Sequence, residues 1–119
     1  GRPLHERLAG LVAELGEPTT GSSGLAAVGA VCGATRPELL GRLRELMPRA
    51  IFLLPGVGAQ GGTVEELAPA FAPHPAAGLV AASRSIVNAA ASTGGDPASA
   101  AAEAAEALRR ATWELAGRA

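Results

Sequence analysis

The chain has 119 residues, 48% hydrophobic but only 3% aromatic, and a formal net charge of −1. That is enough for one small domain with a core of Leu, Val and Ala. A nucleic-acid surface is excluded by the lack of any basic block, and a membrane-spanning segment by the lack of a long apolar run. All ten basic residues are Arg, Lys and Tyr are absent, and the one Asp is Asp96. Chemistry that needs a lysine must therefore take it from another polypeptide. No signal-peptide pattern is visible. The single Cys32 cannot form an internal disulfide, so the expected location is a reducing cytoplasm.

Leu4, Leu8, Leu11, Val12 and Leu15 fall on one face of a helix predicted over residues 2–15. Pro3 suits its first turn and Gly16 its end. After a Pro/Thr/Ser/Gly loop, residues 26–33 read as a short buried strand. Thr35-Arg36-Pro37-Glu38 has capping-box spacing and predicts a second helix, with a stripe of Leu39, Leu40, Leu43, Leu46 and Met47 that Pro48 ends. Residues 51–54 form an apolar run without alternation, as in a strand covered on both faces. Thr63-Val64-Glu65-Glu66 repeats the capping-box spacing before a short helix, and a Pro-containing loop spans 72–77. Residues 79–82 are the third strand. Asp96 and Pro97 are a natural N-cap and first position for a last helix, lined by Ala101, Ala104, Leu108, Ala111 and Leu115.

The order is α-β-α-β-α-β-α, which calls for parallel strands joined by right-handed helical crossovers. Three such strands leave two open edges that invite further pairing. Two consecutive strands end in distinctive runs: Pro55-Gly56-Val57-Gly58-Ala59-Gln60-Gly61-Gly62 after the second, Ser83-Arg84-Ser85-Ile86 after the third. Both loops are rich in backbone N–H donors, and one carries a Gln and the other an Arg. A βα barrel holds a phosphate in this way, in the loops after its last two strands.

Through Gly33-Ala34-Thr35-Arg36-Pro37-Glu38, Phe52 to Gly62 and Ala82-Ser83-Arg84-Ser85-Ile86, the sequence resembles orotidine 5′-monophosphate decarboxylase, and most closely its longer bacterial subfamily. The glycine-rich run carries most of that specificity; Ser-Arg-Ser-Ile alone would be weak. The resemblance implies that residues 1–119 are the C-terminal portion of a (β/α)8 TIM barrel, from the helix 5 to the helix 8 equivalent. It implies decarboxylation of orotidine 5′-monophosphate to uridine 5′-monophosphate in pyrimidine biosynthesis, with no metal or organic cofactor. The family's Lys-Asp-Lys-Asp network lies on early strands and reaches across a dimer, and none of it is in this chain. Gly1 is not an initiator Met, and a helix precedes any strand, which a processed product, a leftover added residue or a fragment would each give. The chain is then one part of a split enzyme, completed by an N-terminal barrel fragment carrying strands 1–5, with two completed barrels pairing. A cleaved or shortened product is the competing reading.

By the same resemblance Gln60 gives its amide to a phosphate oxygen and can bridge to the base, Arg84 presents a planar fork to the dianion, and Ser83 offers its backbone N–H. The competing readings are a solvated loop Gln and a surface ion pair of Arg84 with a nearby Glu. Gly56, Gly58, Gly61 and Gly62 supply positive φ or close approach of backbone to ligand, or serve ordinary turns. Pro55 and Val57 shape the apolar wall near the base and the phosphate loop, or simply pack. Thr35 reads as a helix cap, and Ala34 replaces a Ser found in other family members. His5, His74 and Cys32 lack metal-ligand spacing. Two other functions compete: a sugar-phosphate barrel of the same superfamily, and a non-catalytic phosphate-binding or assembly module.

Overall fold

The computed structural model describes all 119 residues. Its centre is a three-stranded parallel sheet in the order β1 (Ala30–Val31), β2 (Phe52–Pro55), β3 (Gly78–Ala81). Val31 stands opposite Leu53, and Leu53 opposite Leu79, so the three form one row across the sheet. The remaining elements are α1 (Leu4–Gly16), α2 (Leu40–Leu46), a 3₁₀ helix (Glu65–Phe71), α3 (Arg84–Val87), α4 (Ala89–Thr93) and α5 (Pro97–Arg118). The α/β class, the parallel sheet and the crossover order therefore match the sequence reading.

Helices cover one face of the sheet. Phe52 and Leu54 point into that layer and are fully buried with Leu40, Met47, Leu67 and Phe71. Gly78 lets the Phe71 ring lie against β3: a Cβ there would stand 2.7 Å from the ring. The opposite face is bare, with Val31, Leu53 and Leu79 between 41% and 69% exposed. The result is a slab of 50 × 33 × 22 Å. Its radius of gyration, 15.6 Å, exceeds the roughly 13.5 Å of a compact domain this long.

Arg44 locks the N-terminal ends of the strands. It is 6% exposed. Its Nη1 donates to the carbonyls of Met47 (2.9 Å) and Ala50 (2.7 Å), and its Nη2 to those of Ala70 (2.5 Å) and Ala77 (3.2 Å). The guanidinium lies 3.8 Å from the centroid of the Phe52 ring. Burial pushes its pKa down to about 10, so it stays charged at neutral pH. Three segments, the turn from α2 into β2, the 3₁₀ helix and the residue before β3, meet on this one group.

Several local expectations change. Strand β1 spans only two residues, because Gly29 and Gly33 and the small alanines leave little side chain to pack; the parallel bonding still runs on from Cys32 to Leu53 and from Ala34 to Pro55. Thr35 caps no helix. Arg36 pairs with Glu38 instead, a 3₁₀ turn covers Pro37–Leu39, and α2 starts at Leu40. At the second capping box, the Thr63 hydroxyl donates to the Glu66 carboxylate (2.8 Å) rather than to backbone, and the segment stays 3₁₀ around Pro69. Helices α3 and α4 had no clear apolar stripe and were not anticipated. The Asp96 cap does form, with its carboxylate accepting from the Ser99 N–H at 2.9 Å. No helix is long and apolar enough to cross a membrane.

Candidate phosphate-binding site

The C-terminal ends of β2 and β3 lie side by side, since Pro55 is in register with Ala81. The chain after Pro55 makes a tight loop: Gly58 N–H donates to Gly62 O (3.0 Å), Gly61 N–H to Gly58 O (2.8 Å) and Gly62 N–H to Gly56 O (3.1 Å). Glycine is required at two points in particular. Gly56 has φ +96°, and a Cβ there would meet Gln60 Oε1 at 2.9 Å. At Gly62 a Cβ would lie 2.8 Å from both Ala34 Cβ and Gly56 O. The loop therefore closes back on the end of the first strand, with the Gln60 carboxamide folded over Gly56.

A cavity of about 140 Å³ opens between the two loops, lined by Pro55, Gly56, Val57, Ala59, Gln60, Ala81, Ser83 and Arg84. Six of the seven sequence-derived site residues thus meet in one place. Gly58, the seventh, sits behind, where its missing Cβ would touch Ser85 at 3.0 Å. That contact joins the β2 loop to the start of α3. Val57 is buried in the core cluster, so its side chain anchors the loop by packing. Gln60, Ser83 and Arg84 are exposed at the mouth.

Arg84 makes no ion pair and no side-chain hydrogen bond, unlike Arg36, Arg42, Arg49, Arg109 and Arg110, which all pair with Glu. The surface ion-pair reading of Arg84 therefore fails in this structure. Near the cavity the free guanidinium and the Gln60 amide are the polar side-chain donors, beside the Ser83 hydroxyl. Such a set suits a small oxyanion. Ala59, Ala81 and Ser85 were not singled out from sequence. Ala81 could have been found as the last residue of its strand, and Ser85 only from the geometry that sets it against Gly58.

No group of His, Cys, Asp or Glu is arranged to hold a metal ion. His5 is exposed, and the His74 Nδ1 accepts from the Ala76 N–H at 2.9 Å, which holds the loop before β3. Cys32 is buried on the sheet, and desolvation pushes its thiol pKa up.

Fold and pocket together define the class: a stretch of parallel βα architecture with a glycine-rich, polar pocket at the C-terminal ends of adjacent strands. Comparison with known proteins narrows this further. No protein-family model matches the chain. The orotidine 5′-phosphate decarboxylase of Rhodopirellula baltica is 42% identical over 87 residues, covering 73% of this chain and 29% of the relative. That of Deinococcus radiodurans is 46% identical over 87 residues, covering 72% and 32%. A Toxoplasma gondii structure described as an orotidine-monophosphate-decarboxylase superposes with a TM-score of 0.68 at 26% identity, covering 97% of this chain and 43% of that one. Leishmania donovani UMP synthase superposes at 0.59 with 30% identity, covering 93% and 23%. The chain is homologous to part of orotidine 5′-phosphate decarboxylase, and spans about a third of the length of the curated relatives it matches.

Proposed function

We propose that the chain is the C-terminal, phosphate-gripping part of an orotidine 5′-phosphate decarboxylase, which converts orotidine 5′-monophosphate to uridine 5′-monophosphate and carbon dioxide. The observation that carries this reading is the meeting of Gln60, Ser83 and an ion-pair-free Arg84 around one cavity at the ends of β2 and β3, in a chain 42–46% identical to decarboxylases of that name. Arg84 and the Gln60 amide bind the phosphate, with the Ser83 backbone beside them. Pro55 and Gly56 hold the loop over the nucleotide. The base projects from this cavity toward the bare face of the sheet, where the rest of the barrel stands.

The chemical step belongs to that rest. The C6–carboxylate bond breaks, the electron pair stays on C6, and a lysine ammonium of the complementary segment delivers the proton. This chain has no lysine to offer. Its share is binding energy from a part of the substrate that does not react. Holding the phosphate closes the loop, excludes water and presses the base against the lysine and carboxylates, which accelerates the reaction only as far as the grip tightens in the transition state. Two completed barrels pair, in the cytoplasm.

The test is Arg84→Ala in the completed barrel. Loss of a charge-assisted contact to a dianion should lower kcat/KM by about 3 kcal/mol, roughly a hundredfold. An unchanged kcat/KM for orotidine 5′-monophosphate would sink the assignment. A barrel that ignores this nucleotide but turns over a sugar phosphate would favour the sister activity of the superfamily.

A further inference from the structure

The β2–β3 ladder ends at the Pro55–Ala81 pair, and the two chains part there around the phosphate cavity. No backbone hydrogen bond joins residues 56–62 to residues 82–88. Past the ladder, side-chain packing must therefore set the spacing between Gln60 and Arg84. Gly58 and Ser85 touch across the gap, so closely that a Cβ on Gly58 would stand 3.0 Å from both the Cβ and the Oγ of Ser85.

Each partner in that contact is tied to one of the phosphate-facing side chains. The Gly58 N–H donates to Gly62 O at 3.0 Å, and the Gly58 carbonyl accepts from the Gly61 N–H at 2.8 Å. The turn closed by these two bonds carries Ala59 and Gln60. Ser85 follows Arg84 directly in the single turn of α3. There the Ile86 and Val87 N–H groups donate to Ser83 O at 3.1 and 2.8 Å, and the Asn88 N–H donates to Arg84 O at 2.9 Å. A push at the Gly58–Ser85 contact is passed to Gln60 on one side and to Arg84 on the other.

We propose that Ser85 is a positioning residue: its Cβ, seated against Gly58, fixes the distance between the Gln60 turn and Arg84 and so sizes the site for a phosphate dianion. The role rests on the proposed phosphate grip and adds to it a residue outside the cavity lining. Charge-assisted hydrogen bonds to phosphate span only about 2.7–2.9 Å, and a misplacement of ~1 Å can cost about a hundredfold in rate. A stop one side chain wide is therefore enough to matter. The stop needs the Ser85 Cβ and not its hydroxyl.

The test is a double-substitution cycle on kcat/KM for orotidine 5′-monophosphate in the completed barrel. Ser85→Leu adds bulk where Gly58 leaves no room, and should lower kcat/KM about tenfold. In an Arg84→Ala background the same substitution should cost less than about twofold more, because no guanidinium is left to be misplaced. Ser85→Gly removes the stop without adding bulk. It should lose about threefold, and Ser85→Ala, which returns the Cβ, should recover that loss. Equal losses with and without Arg84 would mean a general distortion and overturn the proposal. So would failure of Ser85→Ala to recover the loss, which would give the role to the hydroxyl. If Arg84→Ala lowers kcat/KM but Ser85→Leu and Ser85→Gly do not, the grip stands and Ser85 has no part in it. If Arg84→Ala itself changes nothing, the grip falls and the positioning role falls with it.

Discussion

The two ends of the same strands are built on opposite principles. At the N-terminal ends, Arg44 gathers the carbonyls of Met47, Ala50, Ala70 and Ala77 under the Phe52 ring and is sealed from water. At the C-terminal ends, Arg84 stands in solvent with no partner, over a loop made almost wholly of glycine and small residues. One arginine spends all of its fork on the protein, bar its unpartnered Nε; the other spends none. The difference matches the division of labour in parallel βα barrels, where the lower end holds the fold and the upper end meets the ligand, and it is what the proposed phosphate grip requires.

If that separation is real, substitutions at the two ends should move different observables. The largest stability effect is expected for Arg44→Met, which takes the side-chain donor from four carbonyls, of which those of Met47 and Ala77 keep a backbone N–H partner. A loss of about 3–5 kcal/mol should appear in chemical denaturation, a large share of what a domain this size possesses. Arg44→Lys should rescue only part, since an ammonium cannot reproduce the planar fork. Next comes Arg84→Ala, expected to cut kcat/KM about a hundredfold in the completed barrel while leaving the chain's denaturation midpoint unchanged. A large shift in that midpoint would erase the contrast. Gly62→Ala lies between the two ends in kind. Its new Cβ must push against Ala34 and the Gly56 carbonyl, so it should cost about 1–3 kcal/mol and also weaken phosphate binding.

The smallest effect belongs to neither end. Asp96 caps α5, and the Ser99 N–H and hydroxyl hold its carboxyl below the ordinary aspartate value. Along the same helix, Arg109 and then Arg110 pull Glu106 down to about 2. With folded-state pKa values below the unfolded ones, the unfolded chain binds more protons as pH falls. Both contributions are therefore present above the ordinary carboxylate range and fade as pH drops through it toward the folded values. Asp96→Ala should lower Tm slightly at pH 7, and the gap should narrow as pH falls below the ordinary aspartate value. A gap that persists there would mean the cap acts through something other than its charge.

Much of this was legible in the residues themselves. The apolar runs at 51–54 and 79–82 mark strands β2 and β3 to within a residue, and the Asp96-Pro97 pair marks the start of α5, because each signal is local. The glycine run marked the pocket loop for the same reason. What escaped depended on tertiary context. Thr35 and Thr63 had cap spacing, but Arg36 and Glu66 took the partners that spacing promised. The leucines of α1 read as one apolar face, and Leu4, Leu8, Leu11 and Leu15 are exposed in this chain, since periodicity shows that a face is apolar and not what covers it. Arg44 was invisible as anything but one more helix arginine; only the fold reveals four carbonyls converging on it.

The most direct measurement is decarboxylation of orotidine 5′-monophosphate, followed by the loss of substrate absorbance, for this chain alone, for the five-unit N-terminal segment alone and for the two together. Activity in the mixture only, abolished when the segment's lysine is replaced and strongly reduced by Arg84→Ala, is the expected result. Activity of the chain by itself, or none from a mixture shown to be assembled, would contradict a phosphate grip that serves a lysine supplied from outside the chain.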